Sequence, residues 1–165
     1  MASADRLLHS KLIAPVPRQG CVARVGTERL LDVGAGGRLT LVDAPAGWGK
    51  TTLVARWLKS HQANEHAWLT LDPEDDDPRR FWGYVVEAIR VSRPGFGKRA
   101  LALLHAPGIP PMAGALPAML DELDESAEGI VLVLDDYHVI SDPQIHAGMV
   151  FLIEHLAERD HVLLV

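Results

Sequence analysis

The run Ala44-Pro45-Ala46-Gly47-Trp48-Gly49-Lys50-Thr51-Thr52 constrains this 165-residue chain more than any other feature. Before it lies Arg38 to Asp43 (RLTLVD), a compact apolar run of strand length. After it comes Thr51 to Ser60, where Leu53, Val54, Trp57 and Leu58 recur at helical spacing. A strand, a glycine turn ending in Lys-Thr and a helix form the context of a phosphate-binding loop. Gly47 and Gly49 let the backbone curl so that successive N–H groups face inward toward an anion. The helix starting near Lys50 adds unpaired N–H groups and a partial positive charge. Ala46, Gly47, Trp48, Gly49, Lys50, Thr51 and Thr52 are therefore the candidate phosphate-binding residues. Lys50 brings a full charge to the β- and γ-phosphates, and the Thr51 hydroxyl is suited to Mg²⁺. Ala44 stands where such loops usually open with glycine.

A second signal is Ile130 to Leu134 followed by Asp135 and Asp136. Five consecutive apolar residues predict a strand buried on both faces. Carboxylates at its C-terminal end reach the crevice where ligands of parallel sheets bind. Asp135 is the candidate Mg²⁺ ligand beside Thr51. Asp136 is the candidate catalytic group, placed to orient or deprotonate an attacking water. The expected cofactors are ATP and Mg²⁺.

The remaining pattern completes an α/β chain. Thr27 to Val33 predicts a short helix closed by Gly34, Gly36 and Gly37, and Ala67 to Leu71 a short strand. Glu74 to Asp77 reads as a solvated loop and helix cap. Pro78 opens a helix with Phe81, Trp82, Val85, Val86 and Ile89 on one stripe. Ser92 to Pro117, rich in Gly and Pro, has no clear pattern beyond an apolar patch at Leu101 to Leu104. Leu116 to Leu123 reads as helix. Asp142 caps a helix from Pro143, and His161 to Val165 is strand-like. Helices alternating with strands predict a three-layer fold with a parallel sheet. Trp57, Phe81 and Trp82 are expected in the core.

Charge and composition narrow the function. Sixteen Lys and Arg against 22 Asp and Glu give a net charge of −6, without the basic surface that grips nucleic acid. No direct DNA contact by this segment is expected. The apolar runs are strand-length, so no membrane span is expected, and the single Cys21 fits a reducing, cytoplasmic setting as a buried thiol. The eight histidines show no zinc-ligand spacing. His138 either faces the phosphate crevice or is a plain surface residue. Trp48 either packs over a nucleotide or against a neighbouring domain. Gly95-Phe96-Gly97-Lys98 copies part of a phosphate loop but lacks the preceding strand and the hydroxyl residue after lysine.

At these residues the chain resembles the MalT-like, LuxR-type family of large ATP-binding transcriptional regulators, signal-transducing ATPases with numerous domains. The likeness covers Lys11-Leu12 with Pro15, then Val22, Arg24 and Leu30-Leu31. It continues through Ala44 to Leu53, Trp68 to Asp72, Asp77-Pro78, Arg80-Phe81 and Tyr84. It ends with Val131 to Ile140, Asp142, Ile145 and His146. The resemblance implies an ATPase module whose nucleotide state gates self-association of the full-length regulator. ATP and an inducer would favour an open, oligomerising form, and ADP a closed one. It also implies that Val22 and Arg24 border the adenine. Residues 1–37 would then be a lead-in bordering the nucleotide site and 38–165 the P-loop ATPase core. Family members continue with a further strand, a winged helix, a helical-repeat sensor and a helix-turn-helix. On that reading this chain is an N-terminal fragment, incomplete at its C-terminus. Its phosphate-loop strand would be left as an exposed apolar edge.

Two other readings compete with a weakly hydrolysing switch. One is a small P-loop kinase acting on a metabolite, for which the Arg93 to Arg99 region is the lid candidate. The other is an interaction fragment that does not hydrolyse nucleotide. No Asn-Lys-x-Asp guanine-reading motif and no LSGGQ-like signature occurs, which disfavours GTPases and transporter ATPases.

Overall fold

The structure, a computed structural model, describes residues 8–17, 25–61, 65–108 and 111–165. Cys21 and the adenine-side candidates Val22 and Arg24 lie outside the described residues. After a 3-10 turn at His9–Leu12 the order is α1 (Val25–Gly34), β1 (Leu39–Leu41), α2 (Lys50–Ser60), β2 (Glu65–Thr70) and α3 (Pro78–Ser92). There follow α4 (Lys98–Leu104), α5 (Pro111–Asp124), β3 (Ile130–Asp135), α6 (Pro143–His155) and β4 (His161–Leu164). The four strands form one parallel sheet in the order β1-β4-β3-β2.

The two-residue period of the strands sorts their side chains into two cores. Ala67, Leu69, Leu132, Leu134 and Val162 face one side, where α3, α5 and α6 contribute Trp82, Val85, Met119, Ile145 and Leu152. Trp68, Val131, Val133 and Leu163 face the other, against Leu31 of α1 and Val54, Trp57 and Leu58 of α2. The result is the expected three-layer α/β arrangement. Trp57, Phe81 and Trp82 are buried, as their helical spacing predicts.

Helix starts follow local chemistry. Asp77 caps α3 by accepting from the Arg80 amide, and Asp142 caps α6 by accepting from the Gln144 and Ile145 amides. Proline occupies the first turn of both, where its missing N–H costs nothing. The Gly95–Lys98 run opens α4, and the Gly97 amide is taken by the Glu122 carboxylate at 2.6 Å. A carboxylate on that amide leaves no site for phosphate.

Two expectations need correction. The acidic run Glu74 to Asp77 is not wholly a solvated loop. Asp75 is fully buried, and its Oδ2 lies 2.6 Å from Lys11 Nζ while Oδ1 accepts from Arg80 Nε at 3.1 Å. Lys11 also meets Asp72 at 2.6 Å and sits 5.0 Å from the centre of the Tyr84 ring. Lys11 belongs to the short helical turn His9–Leu12, which packs on β2 and α3. Finally, α5 begins at Pro111, ahead of the expected Leu116, and carries Pro117 in its interior. Burial of Leu116, Ala118 and Met119 outweighs the hydrogen bond that Pro117 cannot make.

At the sheet margin, β1 pairs with β4 alone among the described residues, and Leu39 and Leu41 are 43% and 68% exposed. The phosphate-loop strand is thus an apolar edge in this structure.

Candidate functional site

The run after β1 folds as a turn at the C-terminal end of the sheet. Gly47 and Gly49 adopt φ of 82° and 78°, the left-handed region that glycine enters without steric cost. Nothing lies within 4 Å of a Cβ built on either, so conformation and not crowding calls for glycine there. Gly49 is the cap residue of α2, and helical bonding starts with the Leu53 amide on the Gly49 carbonyl. The amides of Lys50, Thr51 and Thr52 therefore lie in the first turn, before the helix offers them partners.

Lys50 Nζ donates to the Ala44 carbonyl at 2.7 Å, which folds the lysine back across its own loop. Thr51 Oγ1 donates to Asp135 Oδ1 at 2.9 Å, joining the start of α2 to the last residue of β3. Asp135 is 3% exposed. Burial pushes its carboxyl above the ordinary range, and the Thr51 hydroxyl and Lys50 charge offset this only in part. A buried carboxylate and a hydroxyl in contact supply hard oxygen donors, the chemistry Mg²⁺ prefers.

Asp136 takes φ 59° and ψ 34°, the one left-handed non-glycine residue among those described. Aspartate tolerates this region better than most residues, and the turn it makes leaves Asp136 exposed. The next residue is held on three sides. The Tyr137 amide donates to Val165 O at 3.1 Å, its ring stands edge-on to Phe81, and its hydroxyl lies 2.9 Å from His146 Nδ1. Burial pushes the Tyr137 phenol up to about 12, so it stays protonated at neutral pH. His138 Nδ1 is 3.8 Å from Asp136 Oδ1.

These groups meet in one cavity of about 690 Å³, within the range of small-molecule sites. Ala46, Gly47, Gly49, Lys50, Thr51, Thr52 and Asp136 line it. Asp135 sits behind Thr51. Trp48 stands outside the lining, 60% exposed, with its amide donated to Pro45 O at 3.3 Å. His138, left open by the sequence, is in the lining, and so are Asp43 and Tyr137, which motif reasoning had not singled out. The signal for Tyr137 was its place directly after the aspartate pair. The lid candidate fares differently. Arg93 pairs with Glu65, the first residue of β2, at the end of the sheet opposite the phosphate loop.

No helix is long and apolar enough to cross a membrane among the described residues. Nor does any group of three or more His, Cys, Asp or Glu among them form a metal-holding cluster.

No family model matches the chain. Curated relatives do. The chain is 35% identical over 153 residues to the HTH-type transcriptional regulator MalT of Serratia proteamaculans. It is 36% identical to the MalT regulators of Yersinia enterocolitica and Yersinia pestis over the same length. Each match covers 93% of this chain and 17% of the relative. The chain thus spans about a sixth of the length of the curated relatives it matches. By sequence the chain is MalT-like over that stretch, a homologue of one part of these HTH-type transcriptional regulators.

Proposed function

We propose that this chain binds ATP with Mg²⁺ and serves as the nucleotide-reading module of a MalT-like transcription regulator in the cytoplasm. The observation that carries this reading is the cavity at the C-terminal end of the sheet. There two left-handed glycines, Lys50 and the Thr51–Asp135 contact are brought together. The amides of residues 46 to 52 would hold a triphosphate, and Lys50 would exchange the Ala44 carbonyl for a phosphate oxygen. Thr51 and Asp135 would hold the Mg²⁺, which would supply charge neutralisation to the phosphates when bound. Asp136 orients water for slow hydrolysis, and His138 stands beside it. Nucleotide state then gates self-association of the full-length regulator, as the kinship with regulators suggests. The kinase alternative loses support because Arg93 lies at the far end of the sheet.

Thermal unfolding with and without ATP–Mg²⁺ tests the reading. At a hundred times the dissociation constant, binding adds roughly 2.7 kcal/mol. For a chain of this size that raises Tm by about 5–11 °C. The shift is expected to vanish in Lys50→Ala. A variant that keeps the whole shift, or a parent chain with none, removes the phosphate site from the account.

A further inference from the structure

Asp136 reaches the phosphate cavity from a left-handed backbone that aspartate tolerates but does not favour. The loop behind it must hold that shape. Its near end is fixed where the Tyr137 amide donates to Val165 O at 3.1 Å. Its middle is a single turn, with the Val139 amide on Asp136 O and the Ile140 amide on Tyr137 O, both at 3.1 Å. Its far end, at Ser141 and Asp142, is held from outside by one carboxylate.

That carboxylate is Asp76, which lies 65 positions before Ser141. Its Oδ1 accepts from the Ser141 amide at 2.9 Å and from the Asp142 amide at 2.8 Å, and its Oδ2 accepts from the Ser141 hydroxyl. Hydrogen bonds to an ionised acceptor are the strong kind. The Ser141 hydroxyl foremost, then the two amides, hold the Asp76 carboxyl below its ordinary range, so it is charged at neutral pH. Helix α6 has its own cap in Asp142, which accepts from the Gln144 and Ile145 amides. The amides that Asp76 takes lie at the cap residue and one before it, so they fix the end of the loop and not the first turn of the helix. Asp76 itself stands on a fixed footing. Asp75 before it is buried against Lys11 and Arg80, and Asp77 after it caps α3. A short side chain between two anchored neighbours has little freedom to follow a moving loop.

We propose that Asp76 is a positioning residue for Asp136: its hydrogen bonds to Ser141 and Asp142 pin the far end of the 136–141 loop and so keep the Asp136 carboxylate at the phosphate cavity. The proposal rests on the reading of Asp136 as the group that orients water. Asp76 stands outside the cavity lining and acts through Ser141 and Asp142.

Amide hydrogen exchange of the nucleotide-free chain, followed by NMR, reads the loop directly. In Asp76→Ala the Val139 and Ile140 amides should exchange at least about fivefold faster, while those of β2 and β3 keep the parent rates. Asp76→Asn keeps an acceptor for both amides and offers an N–H to the Ser141 oxygen, so its loop should stay within about twofold of the parent. Single-turnover hydrolysis reads the consequence. Asp76→Ala should lower the rate roughly tenfold while ATP–Mg²⁺ affinity stays within about twofold, and Asp76→Asn should recover most of the rate. Unchanged loop exchange, acceleration spread evenly over the chain, or a rate that falls no further than affinity overturns the proposal. A parent chain that binds ATP–Mg²⁺ without turning it over refutes the hydrolysis reading instead, and the exchange rates then decide alone whether Asp76 holds the loop.

Discussion

Two buried glycines, both inside helices, should respond to alanine with opposite signs. Alanine gains about 1 kcal/mol over glycine in a helix interior when space allows. Gly83, in α3, has that space, because a Cβ there would meet Leu104 Cδ2 at 3.7 Å, an ordinary contact. Gly83→Ala should therefore stabilise the fold by about 0.5–1 kcal/mol. Gly148, in α6, has none. A Cβ there would lie 2.6 Å from Trp82 Cζ2 and 3.2 Å from Leu116 Cδ1. Both neighbours are fully buried, and the indole is rigid, so the clash cannot be relieved by a free side-chain end. Overpacking costs about 1–3 kcal/mol, and a 2.6 Å approach to a rigid, buried ring belongs in the upper part of that range, about 2–3 kcal/mol. Set against the propensity gain, Gly148→Ala should destabilise by roughly 1–2 kcal/mol. Urea unfolding followed by far-UV circular dichroism reads both. With a urea slope of about 2 kcal/mol per molar, the two midpoints should move apart by roughly 0.75–1.5 M. Should both variants move the same way, Trp82 and Leu116 are not the fixed wall inferred here.

Further predictions concern the site and the ionic cluster. Asp136→Asn should lower ATP turnover by a larger factor than it weakens ATP–Mg²⁺ binding, read from single-turnover rates and a binding titration; equal losses contradict a role in hydrolysis. Lys11→Met removes the ammonium from Asp72 and the buried Asp75 and should cost roughly 3 kcal/mol in urea unfolding, the low end for a broken buried pair because Arg80 still faces Asp75. The same cluster sets both pH limits of its own contribution. The Lys11 hydrogen bond holds the Asp72 carboxyl below its ordinary 3.8, so that share of stability is present above 3.8 and is lost as pH falls through the lowered value. Burial acts to lower the Lys11 ammonium, but the two aspartates outweigh it and raise it above 10.5, so its share is present below 10.5 and is lost as pH rises through the raised value. Unfolding curves of Lys11→Met across pH should be flatter at both limits than those of the parent chain.

What the sequence disclosed depended on whether the determinant was local. The glycine loop could be read because left-handed backbone at Gly47 and Gly49 demands that residue type within a few positions. The strand at Ile130 to Asp135 could be read because burial on both faces imposes an unbroken apolar run. The meeting of Thr51 with Asp135 followed from motif context, although the two are 84 positions apart. The buried role of Asp75 could not be read. Its partner Lys11 is 64 positions away, and an acidic tetrad next to a proline looks like surface. The start of α5 was hidden for a related reason. Pro117 argues against a helix locally, and only the packing of Leu116 and Met119 against distant side chains restores it. Asp43 entered the cavity lining through the course of the turn after β1, which no spacing rule encodes.

The strand that launches the phosphate loop is also the strand with the least support. β1 spans three residues and, among the described residues, leans on a single neighbour, so the loop's footing rests on the register Leu39↔Val162 to Leu41↔Leu164. A brace laid along the bare side of Leu39 to Leu41 would stiffen the base from which Gly47 to Thr52 extend. If the loop takes a ligand as proposed, thermodynamic reciprocity would make the two events partners: whatever clasped that margin would tighten the loop's grip, and an occupied loop would make the margin a better dock by the same factor.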